Sequence, residues 1–158
     1  MKNEHGFSLV ELLIVVAIIA IIAAIAVPSL LTSRQAANEA GAIQGCRTIG
    51  SAEIAFAATN NQQFTDLNTL ATGNFLDSRF SADTNVINGY TYGGADVPQI
   101  DGGATPNGFE FVATPQSGMG RYGYGIAPDM VVRWVESVSV NGLPQGVTDG
   151  DPIGKRTS

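Results

Sequence analysis

The chain has 158 residues, of which 44% are hydrophobic and 14% charged, with a formal net charge of −6 and a pI near 4.5. That apolar content with so modest a charge excludes a wholly disordered chain. A single cysteine excludes an internal disulfide framework. The acidic balance argues against a dedicated nucleic-acid binder, which needs a basic face to meet phosphates, and no specific nucleic-acid partner is expected. The length suits one domain of ordinary size, but the apolar residues are concentrated near the start.

Residues 1–6, Met-Lys-Asn-Glu-His-Gly, form a short polar leader. Phe7-Ser8-Leu9-Val10-Glu11 follows, and Leu12 to Val27 is then an unbroken apolar run. Pro28 and Ser29 interrupt it and Leu30 and Leu31 extend it, with no charge between Glu11 and Arg34. Roughly 20 apolar residues in a helix cross about 30 Å of hydrocarbon. The run is apolar on every face, so a membrane helix is expected rather than an amphipathic surface helix. A removable secretory signal is the competing reading, because Ala24-Ile25-Ala26 has the small-x-small pattern of a cleavage site. Against it stand the carboxylate of Glu11 and a run longer than the 7–15 residues of an h-region.

Gly6-Phe7-Ser8-Leu9-Val10-Glu11 and the apolar run up to Pro28 resemble the prepilins of type IV pili and the pseudopilins of type II secretion. The resemblance implies cleavage between Gly6 and Phe7 by a prepilin peptidase, and methylation of the new Phe7 amine. Glycine suits such a junction, because a backbone without a side chain enters a tight protease site in extended form. Cutting before the run keeps the anchor in the product. The leader departs from the usual more basic pattern, with Glu4 and His5 beside Lys2, so its positive-inside signal is weak.

Glu11 is the one charge between the leader and Arg34. A carboxylate deep in hydrocarbon costs roughly 2.5–3.5 kcal/mol on insertion scales. Glu11 either lies at the headgroups and stays wet, or becomes buried on assembly and takes the Phe7 ammonium of a neighbouring subunit as partner. The second role follows from the resemblance. Pro28 lacks an N–H and clashes with the carbonyl one turn back, so a helix kink is expected there. The family's filaments place a bend or melt at a similar proline; a simple kink near the membrane surface is the alternative.

From Ser29 to Ala58 an amphipathic continuation of the helix is expected. Ile43, Cys46, Ile49 or Gly50 and Phe56 form its apolar face, with Ala36, Ala40 and Ala57 nearby. Arg34, Gln35, Asn38, Glu39, Gln44, Arg47 and Glu53 are read as polar surface, and Gly41, Gly45 and Gly50 as packing positions against a sheet. From Phe7 to Ala58 such a helix is roughly 78 Å long. Asn60-Asn61-Gln62 ends it, and Phe64 to Leu70 resembles the pilin segment just after the long helix, where a short second helix or turn begins. Ser81 to Asn88 reads as polar linker. Most glycines and prolines fall after residue 88, where turns dominate. Alternation and β-branched or aromatic content predict strands at residues 89–92, 109–114, 121–126 and 130–140, with a turn at Pro128-Asp129 and a loop from Gly142 to Ser158.

The expected fold is thus α+β: a long N-terminal helix packed against a C-terminal antiparallel sheet of about four strands, as in the type IV pilin fold. The divisions are a leader at 1–6, a membrane or filament-core helix at 7–31, its amphipathic continuation at 32–58 and a globular head at 59–158. Enzymatic chemistry has no place to form, because the one histidine, His5, lies in the leader. Cys46 reads as a buried inert thiol. Asp149-Gly150-Asp151 offers too few carboxylates for calcium, which takes 6–8 oxygen ligands. Gly123 and Gly125 are not a phosphate loop, since no helix follows them. Tyr90, Tyr92, Tyr122, Tyr124 and Trp134 read as strand-packing residues. No cofactor and no metal are expected.

The resemblance implies a structural role. The subunit waits in the inner membrane with its head in the periplasm. Assembly machinery there then polymerises it into an extracellular homo-oligomeric filament serving adhesion, motility or DNA uptake. A type II secretion pseudopilin is the alternative, and a secreted binding domain with a removable signal peptide is the second.

Overall fold

The computed structural model describes residues 7–81, 85–94, 108–135 and 151–152. The chain divides into two compact units, residues 1–34 and 35–158, with the boundary inside one helix. That helix, α1, is Leu9–Thr59. In the first unit every described residue, from 7 to 34, is exposed.

In the second unit α1 continues to a stop built from polar side chains. Thr59 Oγ1 and Asn60 Nδ2 both donate to the Phe56 carbonyl at 2.9 Å. Gln62 N then donates to the Ala57 carbonyl at 2.9 Å, with Asn61 and Gln62 both left-handed (φ 51° and 60°). The short helix α2, Leu67–Thr72, is capped by Asp66, whose Oδ1 accepts from Thr69 N at 2.8 Å. A single 3₁₀ turn follows at Ser78–Phe80.

A six-stranded antiparallel meander completes the unit, in the order β1 (Val86–Ile87), β2 (Tyr90–Gly94), β3 (Phe111–Pro115), β4 (Gly123–Ile126), β5 (Arg133–Val135) and β6 (Asp151–Pro152). The inner four strands are those read from the sequence. The last of them occupies only residues 133–135 of the expected 130–140, of which 136–140 lie outside the described residues. The two outer strands correct the sequence reading. Val86–Ile87 lies in the supposed linker, paired through a two-residue turn in which Asn88 and Gly89 both have positive φ (52° and 76°). That is the backbone of a twisted hairpin. Asp151–Pro152 lies in the supposed C-terminal loop and pairs with β5.

The core forms where α1 meets the sheet. Ala42, Cys46, Ile49 and Ala52 are buried with Tyr90, Tyr92, Phe111, Ala113, Tyr124 and Ile126 in one cluster. Cross-strand register places Tyr92, Ala113, Tyr124 and Trp134 in one row. The small Ala113 between two tyrosines leaves room for Cys46, which is in hydrogen-bond contact with the Ala113 backbone. Gly45 meets the Tyr92 ring so closely that a Cβ there would lie 2.3 Å from the Tyr92 hydroxyl oxygen. Gly45 therefore acts as the packing residue expected of it.

The buried face is not the one expected throughout. Ala36 and Ala40 are exposed, Ile43 and Phe56 are half-buried, and the centre is Ala42, Cys46, Ile49 and Ala52. Glu39 and Glu53, read as polar surface, are both buried. Glu39 is the acceptor that holds the β3–β4 turn. Its Oε1 takes Arg121 N at 2.9 Å and Arg121 Nε at 3.2 Å, and its Oε2 takes Nη2 at 3.3 Å. Asn38 Nδ2 donates to the Met119 carbonyl at 2.8 Å and Gln35 Nε2 to the Gly118 carbonyl at 3.1 Å. Three polar side chains of α1 thus clamp one turn.

Candidate processing and assembly segment

The candidate site is the start of α1. Leu9 is its first residue, and Leu12 N donates to the Ser8 carbonyl at 3.2 Å. Ser8 therefore stands at the cap position and Glu11 in the first turn. Ser8-Leu9-Val10-Glu11 has the S-x-x-E spacing of a capping box ahead of an apolar run, a local signal that reading the sequence for anchors passed over. A carboxylate in the first turn also meets the positive end of the helix dipole, worth about 0.3–1 kcal/mol. Among the described residues no side-chain hydrogen bond or ion pair reaches the Glu11 carboxylate. Phe7, immediately before the cap, is 84% exposed. Gly6 and His5 lie outside the described residues.

The helix that follows is long and apolar enough to cross a membrane, and its apolar window is wholly unburied. Sixteen large apolar side chains from Phe7 to Leu31 are exposed, among them Leu9, Ile14, Ile18, Ile22, Ile25 and Leu30. Burying one such side chain fully is worth about 1.5–3 kcal/mol. A surface of this extent requires lipid or other apolar helices as cover. The helix runs through Pro28 without a break. The proline leaves the Ala24 carbonyl without its helical donor. Just beyond it, Thr32 Oγ1 and Ser33 Oγ both donate to the Ser29 carbonyl at 2.9 Å, a back-bonding pattern that bends helices.

Residues 1–27 match the family described as the prokaryotic N-terminal methylation motif. The N-terminal segment, residues 1–27, thus carries that methylation motif. Over 39 residues the chain is 59% identical to the type IV wide pilus major component PilA4 of Thermus thermophilus. The match covers 25% of this chain and 30% of that relative, so the chain spans about a third of the length of the curated relative it matches. Together with the long helix and the antiparallel sheet, the architecture is the α+β one of pilins.

The other candidate residues take structural places. Cys46 is fully buried, and burial pushes its thiol up to about 12 despite the backbone hydrogen bond at Ala113. Gly123 and Gly125 lie within β4. Tyr90, Tyr92 and Tyr124 are buried, and Tyr122 packs edge-on against Trp134 at 4.9 Å. Of Asp149-Gly150-Asp151, only Asp151 is described, in β6. Among the described residues no group of three acidic, histidine or cysteine side chains is placed to hold a metal ion.

Proposed function

We propose that this chain is the structural subunit of a type IV pilus. In this reading a prepilin peptidase cuts between Gly6 and Phe7, and the new Phe7 amine is methylated. The subunit is stored in the inner membrane and then drawn by assembly machinery into a homo-oligomeric filament. The observation that carries the reading is the all-round apolar, wholly exposed first part of α1, residues 9–34, whose one carboxylate, Glu11, follows the proposed junction by a single turn. The match of residues 1–27 to the methylation motif supports it, and so does the likeness to a relative named as a pilus major component. The role is structural rather than catalytic.

The physics of such a filament is consistent. The apolar surface that lipid covers in the subunit is transferred to the bundle of helices in the filament. A new ammonium at Phe7 stands at the positive end of the helix dipole, where a cation is unfavourable. The Glu11 carboxylate of a neighbour offsets it, and the penalty for leaving either charge unpaired in a low-dielectric bundle sets the axial register. Pro28 is the point at which the helix yields when the bundle packs.

The test is mass spectrometry of the main subunit in sheared surface filaments. A subunit that begins at Phe7 and carries one added methyl group on its N-terminal amine supports the proposal. A chain beginning near Val27 instead shows an ordinary signal peptide and refutes it. The Glu11→Gln variant is expected to be cleaved normally and to give few filaments; normal filament yield removes Glu11 from the mechanism.

A further inference from the structure

Glu53 lies on the core side of α1, just before the connection to α2, and is fully buried. Its Oε2 accepts one hydrogen bond, from Thr65 N at 3.2 Å. Its Oε1 is buried with no partner among the described residues. The contrast is Glu39, on the same helix, which collects three donors from Arg121. An ionised carboxylate with a single N–H and no cation is costly to keep in a core.

Among the described residues no cation pairs with Glu53. Arg79, Arg121 and Arg133 pair with Asp77, Glu39 and Asp129. Arg34 and Arg47 are exposed on α1. The charged group acting on Glu53 is Asp66, across the α1–α2 connection, and it is itself an acid. The connection also contains two consecutive non-glycine residues in the left-handed region, Asn61 and Gln62. Such conformations persist only where surrounding contacts impose them. The contacts here are Gln62 N to the Ala57 carbonyl, Gln63 N to the Asn60 carbonyl, and Thr65 N to Glu53.

We propose that Glu53 is a proton-operated latch: protonated, it stays in the core and pins residues 60–66 to α1; ionised, it moves toward water and frees that segment. Ionisation releases the carboxyl proton to solvent and requires no other reactant. Burial pushes the Glu53 pKa up to about 7, Asp66 pushes the same way, and the Thr65 N–H opposes both. The latch is therefore closed in mildly acidic surroundings and opens as pH rises through neutrality.

The test uses the full chain in detergent micelles, with glutamate carboxyl carbons labelled for NMR and amide hydrogen exchange followed in parallel. One glutamate resonance should titrate with a midpoint near 7 and be missing from Glu53→Gln. In the wild type, exchange of residues 60–66, corrected for the intrinsic rate, should be about ten-fold faster at pH 8 than at pH 6, following the carboxylate fraction. The α1 residues around Cys46 should show no such rise. Glu53→Gln, neutral at both pH values, should abolish the rise. A Glu53 midpoint in the ordinary carboxylate range overturns the proposal. So does a wild-type segment whose corrected exchange does not change, a measurement that needs no variant. A rise that survives in Glu53→Gln also overturns it.

Discussion

Gly45→Ala separates packing from helix propensity by the sign of its effect. In an open helix position the change to alanine stabilises by about 1 kcal/mol. At Gly45 the new Cβ would lie 2.3 Å from the Tyr92 hydroxyl oxygen and 2.6 Å from both Cε1 and Cζ. Ordinary van der Waals contact therefore requires the ring to move by roughly 1 Å. Tyr92 is 2% exposed and packs edge-on against Phe80 with centroids 4.9 Å apart, so its ring cannot swing into solvent. Overpacking of this kind costs about 1–3 kcal/mol. Set against the propensity gain, the net expectation is a loss of about 1 kcal/mol. Tyr92→Phe removes the nearest atom, and the buried hydroxyl it deletes has no hydrogen-bond partner among the described residues. That change alone should be close to neutral. In its background Gly45→Ala should cost less, yet still something, because Cε1 and Cζ remain. Urea unfolding of the full chain in detergent reads the effect through Trp134, the one tryptophan, whose ring packs on Tyr122. A Gly45→Ala chain more stable than wild type by the full helix-propensity increment would refute the close-packing argument.

Three further outcomes follow from the same contacts. Glu39→Ala should destabilise the head by about 2 kcal/mol, since it strips an acceptor from the Arg121 backbone N–H as well as from the guanidinium. Arg121→Ala should also destabilise the head, because it leaves the buried Glu39 carboxylate with one backbone N–H and no cation; an unchanged urea midpoint would contradict this. Glu53 holds its proton more tightly folded than unfolded, so its contribution is full below pH 4.5 and is lost as pH rises through about 7. The stability of wild type relative to Glu53→Gln should therefore fall by about 3 kcal/mol across that window, and a pH-independent difference would contradict the sign. Gly6→Val should accumulate a chain heavier by the leader, visible by mass spectrometry; normal processing would show that the junction tolerates a side chain.

The α1 stop and the four inner strands were readable because each rests on local chemistry, whereas α2 was legible only through the resemblance, which left a turn open. Asn60-Asn61-Gln62 competes with the helix for backbone hydrogen bonds, and Asp66 caps the next one. Besides the S-x-x-E spacing at Ser8, a second local signal was readable: Ile87-Asn88-Gly89-Tyr90 is a two-residue hairpin turn, hidden by the polar residues before it. Strand β6 carried no such signal, since two residues show no alternation and the pairing with β5 joins distant parts of the chain.

The apolar run beginning at Leu12, the Gly6-Phe7 pair before it and the carboxylate at Glu11 are matters of composition and order, and the sequence alone determines them. It could not choose the buried face of α1 beyond Arg34. Alanine, glycine and short polar residues alternate there with little hydrophobic contrast, so the phase of the helix is decided by what packs on it. The tyrosines of β2 and β4 and the small Ala113 between them select Ala42, Gly45, Cys46 and Ile49. That choice carries Glu39 and Glu53 inward. Carboxylates belong in water by type, and only the tertiary structure supplies the Arg121 donors that satisfy one and leaves the other a single N–H.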